Sequence, residues 1–457
     1  MLTGKIFLIP PLAKWSQKYE KLTTVALAST FPPMCVCVAV LLVFSLEFSK
    51  SGVDVHAVKH SGILNFLSAL GNEGGHALLC FIVLSLLTMI AEVVSKISTV
   101  HVEKDWITRI AAGHQRDDPN FLSVLNGRMR VIDLSCAVVF PMTFSSVMAV
   151  APAGSEVLYG CAFIFLFNIL TIWPIWIMWR AVYFAFEDDL ESPEPEFCLA
   201  RCESDDPNSA PSLPSSPSSH RQIGFQDYVR SQIFPASLSY CLLHFTVLTD
   251  HNALLTAWLF DKNISAFSLA VARGMAAAAG IAGTIFWPYL RKTLGLDMSS
   301  LVSLTLFLVC IGIAACGVFH THKHAVGNYG GYIVLAGIIV SRPFLWVFDL
   351  ANSQLFQERV ETSRRRIALA AYQTSTHQSL ELIFTFLCSL FVRTTQDFLP
   401  MSAVSFGSIL LSLVIFCLFH KWQHIPSRSQ SEQTEFLASD TSYQRLPASA
   451  QEVSRRS

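Results

Sequence analysis

Ten stretches of this 457-residue chain are apolar for long enough to cross the hydrocarbon core of a bilayer. They lie at about 25–48, 77–100, 134–152, 156–182, 232–260, 264–290, 300–319, 329–350, 367–392 and 399–420, with Ile6 to Leu12 as a fragment of another. A backbone in hydrocarbon has no water to bond, so spans of this length must satisfy their own N–H and C=O groups as helices. Composition agrees. Hydrophobic residues make up 52% of the chain and charged residues 14%, against roughly 25% charged in soluble domains. The expectation is an all-α polytopic membrane protein.

Lys and Arg are sorted between alternate loops. One set is rich and includes Lys14, Lys18, Lys21, Lys104, Arg109, Arg128, Arg130, Arg180, Arg230, Arg291, Lys292, Arg359 and Arg364 to Arg366. The other holds only Lys50, Lys59, Lys262, Lys323 and Arg393. The positive-inside rule places the rich set, and the C-terminus, in the cytosol. Ten of the twelve cysteines lie inside spans and read as small core residues. Cys198 and Cys202 fall on the cytosolic side, where disulfides are not expected. No P-loop, hydrolase or redox motif occurs, so neither an enzyme nor a bound cofactor is expected. A net charge of −1 says nothing about partners, and no nucleic-acid partner is expected.

Four regions follow. Residues 1–185 form a first helical lobe, and 186–229 form a disordered cytosolic linker with Glu187, Asp188, Asp189, Glu191 and a Ser/Pro-rich run. Residues 230–420 form a second lobe of six spans, and 421–457 are a polar, Ser-rich, disordered tail. Tyr443-Gln444-Arg445-Leu446 in that tail fits a short tyrosine-based sorting signal for adaptor proteins. Four residues match by chance so often that a solvated tail is the plainer reading.

The stretch Val102 to Met142 reads as a charged loop wedged between two spans. Its Asp133 opens an apolar run, where an unpaired carboxylate costs several kcal/mol. Arg130 precedes it by three residues, one helical turn, and offers a partner. Around this pair stand Asp105-Trp106-Ile107, Asn126, Arg130-x-Ile132-Asp133 and Pro141. Further on come Leu345 to Leu350, Gln354, Gln357-Glu358, Arg366-Ile367 and Gln373-x-Ser375, and before them Thr246-Val247-Leu248 and Arg273-Gly274 to Pro288. Together these resemble the ferroportin family of iron exporters from about residue 10 to about residue 420, most strongly after residue 100.

The resemblance implies a two-lobed transporter of the major facilitator type with about ten of twelve spans present. It implies that the first lobe lacks its first helix and most of its second, as an incomplete translation or a poorly transporting isoform would. The group Asp105, Asn126, Arg130 and Asp133, with Arg342, Asp349, Glu358 and Arg366, would join the two lobes when the cytosolic side is shut. The alternative for these charges is helix-end capping. Export of Fe(II) from the cytosol by alternating access is the implied activity, with iron as cargo. Another divalent metal (cobalt, nickel or manganese) and a non-transporting relative are the rivals. The implied partners are lipid and the metal ion, in a monomer of the plasma membrane or a vacuolar or endosomal membrane.

For the metal, span 232–260 is interrupted by Thr249-Asp250-His251-Asn252. Transporters often break a helix so that carbonyls and side chains can meet substrate at mid-membrane. Asp250 and His251 are the best ligand candidates, since imidazole and carboxylate suit Fe(II). His244 lies seven residues earlier, roughly 10 Å away on a regular helix, so it joins them only if the helix unwinds. The resemblance places a second-half metal position near His251-Asn252 and another at Phe384, and it matches Asn168 to a first-half site, although that amide also suits helix packing. His320, His322 and His324 share an outer loop with Lys323 and read as solvated.

Overall fold

The apolar runs fold as helices wherever the chain is described, and no strand occurs among the described residues. The computed structural model describes residues 2–50, 74–114, 120–152, 155–191, 223–249, 252–323, 329–360, 362–392 and 397–423. The first half comprises α1 (Leu2–Ser16), α2 (Lys21–Lys50) and α3 (Gly74–His101). Through a π-type turn at Val102–Trp106, α3 runs on into α4 (Ile107–His114). Then come α5 (Phe121–Val150), α6 (Glu156–Ala185) and the short α7 (Glu187–Glu191). The second half comprises α8 (Phe225–Val229), α9 (Phe234–Leu242), α10 (Ala253–Asp261), α11 (Ala266–Lys323), α12 (Tyr329–Arg359), α13 (Ser363–Phe391) and α14 (Phe398–Gln423).

Seven of the described helices are long and apolar enough to cross a membrane, against ten expected stretches. Three local causes account for the difference. The stretches 264–290 and 300–319 join as α11, which turns at Gly295 with φ 78° and ψ 173°. That region is essentially open to glycine alone. The stretch 232–260 is split into α9 and α10 by residues 243–252. The stretch 367–392 does form α13, but Gln373, Thr374, Ser375, Thr376, His377, Gln378, Ser379 and Glu381 make its middle polar.

Two other expectations are corrected. The stretch Val102 to Met142 is mostly helix rather than loop, because its charges find partners on other helices and the backbone need not unravel to hydrate them. The segment 186–229 is not linker throughout. Leu190 of α7 is fully buried and its carbonyl accepts from Lys21 Nζ. Tyr228 of α8 is fully buried, its ring edge-on to Phe234 and stacked on Tyr372. Residues 192–222 lie outside the described residues.

Two apolar cores hold the halves. The larger joins Trp287, Phe348, Phe356, Phe416 and Phe419 of the second half to Ile9 and Ala13 of α1 and Val93, Ile97 and Val100 of α3. The smaller joins Val25, Trp106, Ile107, Ile110, Tyr183 and Leu190, with Trp179 edge-on to Trp106 at 5.5 Å. Glycines set the closest approaches between helices. A Cβ on Gly127 of α5 would come 3.2 Å from the Thr284 carbonyl of α11. Outside, Leu166, Trp173, Ile285, Phe286 and Leu418 are exposed, as side chains facing lipid tails must be.

Candidate functional site: a polar layer between the halves and a broken span

Helix α3 does not stop at the edge of its span. It widens into the π-type turn Val102–Trp106, in which Lys104, Asp105 and Trp106 are buried. Such turns free backbone carbonyls for outside partners, and here the partners come from the other half. The Glu103 carbonyl accepts from Gln357 Nε2 at 2.6 Å, and the Lys104 carbonyl accepts from Arg366 Nε at 3.1 Å. Lys104 Nζ donates to Ser353 Oγ at 2.5 Å and lies 5.7 Å from the Phe356 ring centre.

The side chains of the same turn and of α5 extend this layer. Asp105 is 2% exposed; it accepts from Arg109 Nε at 2.6 Å and from the Ser363 hydroxyl of α13. Asn126 Nδ2 donates to Gln357 Oε1 at 2.7 Å, and Ser123 Oγ donates to Gln354 Oε1 at 3.0 Å. Arg130 is the hub. Its Nη1 donates to Asp133 at 3.1 Å, its Nη2 donates to Asp349 of α12 at 2.5 Å, and its guanidinium lies 5.2 Å from the Trp346 ring centre.

Most of the charged group expected to join the halves is therefore brought together, with three corrections. Asp133 has the partner expected in Arg130, but its side chain is 67% exposed, and the partner that Arg130 holds in shelter is Asp349, 11% exposed. Glu358 bonds within its own half, accepting from Arg291 at 3.1 Å and from Gln354 Nε2 at 2.6 Å. Arg342 is buried on α12 seven residues before Asp349, about 10 Å along the axis and so below this layer. Ser123, Ser353 and Ser363 belong to the layer but carried no signal in the sequence, since one hydroxyl resembles another until a partner faces it.

The expected metal residues fare differently. Asp250 and His251 lie outside the described residues. Asn252 is the N-cap of α10, its Oδ1 accepting from Leu254 N at 2.9 Å and Leu255 N at 3.3 Å. Phe384 is 4% exposed and its ring centre is 4.5 Å from that of Phe245, so an aromatic contact fills the position where the resemblance places a ligand. Asn168 turns its amide back on its own helix, Nδ2 donating to the Ile164 carbonyl at 2.8 Å, as a packing amide does. His244 stands past the end of α9 beside His377 of α13, with ring centres 4.0 Å apart. Among the described residues no three His, Cys, Asp or Glu side chains form a metal-holding group.

Two helical halves, a polar layer locking one end of the bundle and a span broken in the second half define an all-helical fold of the major facilitator type. A search of known families sharpens this, since the family model described as Ferroportin1 (FPN1) matches residues 4–409. The chain belongs to the ferroportin family.

Among its relatives, solute carrier family 40 member 2 of Arabidopsis thaliana is 24% identical over 349 residues, which is 70% of this chain and 65% of that protein. This chain thus spans a little under two thirds of that relative's length. Ferreportin of Bdellovibrio bacteriovorus is 28% identical over 373 residues, 80% of this chain and 76% of its own. Human ferroportin is 21% identical over 422 residues, 74% of this chain and 72% of its own. The crystal structure of a bacterial homologue of the iron transporter ferroportin in an outward-facing state aligns with TM-score 0.65 at 24% identity, covering 92% of this chain and 88% of that one. The inward-facing state aligns with TM-score 0.57 at 24% identity, covering 92% and 87%.

Proposed function

We propose that this protein is a secondary transporter that exports Fe(II) from the cytosol by alternating access. The observation that carries the proposal is the polar layer. Its bonds run from the π-type turn and α5 to α12 and α13 of the other half, and they are hydrogen bonds and ion pairs rather than apolar contacts. Water can replace such bonds when the halves part, whereas an apolar seam would resist wetting. A joint of this kind suits a gate that opens and closes. The positive-inside pattern assigns the gate end, and with it the C-terminus, to the cytosol. On that assignment the conformation is shut to the cytosol, and cargo would leave on the opposite side. Family membership supports metal as cargo, with no bound cofactor and no partner beyond lipid and the ion. A monomer at the plasma membrane or a vacuolar or endosomal membrane fits this reading.

Cells loaded with radioactive iron should lose it faster when the chain is expressed and detected at the surface. Cobalt, nickel and manganese loaded in parallel separate iron preference from general divalent export. Equal retention with and without surface protein would end the export reading.

A further inference from the structure

We infer that the cytosolic end of the seam between α1 and α13 binds the headgroup of an anionic phospholipid, with Lys14, Lys18, Arg364 and Arg365 as its cations. The inference is independent of the cargo. It shares with the proposed export only the assignment of this end of the bundle to the cytosol.

Three bonds fix the seam. Gln17 Nε2 donates to the Arg364 carbonyl at 3.3 Å, Lys14 Nζ donates to the Tyr372 hydroxyl at 3.0 Å, and the Ser375 hydroxyl donates to the Ile6 carbonyl at 2.6 Å. The first of these lays the turn that carries Lys18 beside the first turn of α13. Arg365 lies seven residues before Tyr372, so it shares that residue's face of the helix and stands two turns nearer the cytosolic end. Lys18, Arg364 and Arg365 are exposed, and among the described residues no charged end of the three has a hydrogen-bond or ion-pair partner. The carboxylates on the segments that meet here are engaged. Glu20 accepts from Thr23 Oγ1 at 3.0 Å. On α8, whose Phe225 ring lies 5.8 Å from that of Tyr372, Asp227 accepts from the Gly224 N–H at 2.7 Å.

The physical chemistry of the patch points to lipid. Cations in the first turn of a helix oppose its dipole, and the first turn of α13 holds no acidic residue to offset them. Arg366 is accounted for, since it donates to the Lys104 and Val360 carbonyls. Arg364 and Arg365 are left to an anion from outside the chain. Trp15 and Tyr19 flank Lys18, 55% and 51% exposed, with ring centres 4.5 Å apart. Exposed Trp and Tyr at the end of a membrane helix lie at headgroup depth. Anionic lipid is concentrated in the cytosolic leaflet, and basic clusters next to a span attract it. Guanidinium forks pair with phosphate oxygens two bonds at a time. Orienting a span by charge needs only a count of Lys and Arg in a loop. It does not require cations from segments 347 positions apart to meet.

The test titrates the purified full chain in detergent with phosphatidylinositol bisphosphate or phosphatidylcholine carrying the same fluorescent label. The anionic lipid should bind and the zwitterionic one should not. Lys18→Ala, Arg364→Ala and Arg365→Ala should each weaken binding about fivefold, and the triple variant about 150-fold. Replacing Arg364 and Arg365 by Lys keeps both charges and should retain most of the affinity, which a misfolded chain would lose. Lys292→Ala removes an exposed cation of α11 from the same side and should leave binding unchanged. Inorganic phosphate at equal concentration should not displace the lipid. Equal binding of the two lipids, wild-type affinity in the triple variant, or a loss in Lys292→Ala as large as in Arg365→Ala would each overturn the site. Displacement by inorganic phosphate would replace the lipid with a free anion and overturn it too.

Discussion

Replacing Arg130 by alanine tests the gate at its hub. Arg130 holds two carboxylates, and their surroundings rank them. Asp133 is 67% exposed and 3.1 Å away, so it is a surface pair contributing at most about 1 kcal/mol. Asp349 is 11% exposed and 2.5 Å away, in the other half. Breaking a fully buried pair by removing one partner costs about 3–5 kcal/mol, because a charge is left without compensation. Arg130 itself is 20% exposed, and discounting for that contact with water places the loss at about 2–3 kcal/mol. The partners lie on opposite halves and hydrate once the halves part, so the whole loss falls on the closed state. A shift of 2–3 kcal/mol changes the closed-to-open ratio by about 30- to 150-fold. A cysteine introduced at Ser353 should then react much faster with an impermeant maleimide applied from the cytosolic side in Arg130→Ala than in the Arg130 background. Iron efflux should fall by more than surface expression does. Asp133→Ala should change labelling by about fivefold or less, as a surface pair allows. Equal effects of the two substitutions, or unchanged labelling in Arg130→Ala, would refute the assignment of Asp349 as the partner that matters.

Asn126→Ala removes one side of the amide pair with Gln357 and should increase the same labelling, by about 1–3 kcal/mol for a buried polar group that loses its partner. Gly283→Ala should lower the thermal unfolding midpoint in detergent, because its Cβ would lie 2.5 Å from the Pro343 carbonyl oxygen and 2.6 Å from the Pro343 Cα. Relieving such an overlap between α11 and α12 typically costs about 1–3 kcal/mol, and an unchanged midpoint would show that the two helices are not packed this closely.

That the chain forms membrane-length helices was legible in the sequence because hydrophobic length is a local property, set by the bilayer rather than by neighbours; that two of the expected spans join at Gly295 was not. Thr249 to Asn252 was legible as an irregularity, since polar residues within an apolar span stand out whatever faces them. The polar middle of α13, Gln373 to Glu381, was instead counted as part of an apolar span. The contact of His377 with His244 was not legible, since His244 is 133 positions earlier and only the packing of the broken span along α13 brings the rings to 4.0 Å. Phe384 stands where the resemblance places a ligand, and its ring packs at a tilt against Phe245.

The charged group between α3 and α5 shows the same division. Residue spacing alone pointed to Arg130 and Asp133 as partners, since three residues make one helical turn. It could not weigh that pair against one formed across 219 positions with Asp349. The strength of an ion pair depends on how much water each group keeps, and burial is decided by what the rest of the chain places on top of it. Composition and periodicity determined that this chain lies in a membrane as a bundle of helices. Only the tertiary structure decided which charges meet, because partners from opposite halves are chosen by how the helices pack and not by any property of the residues alone.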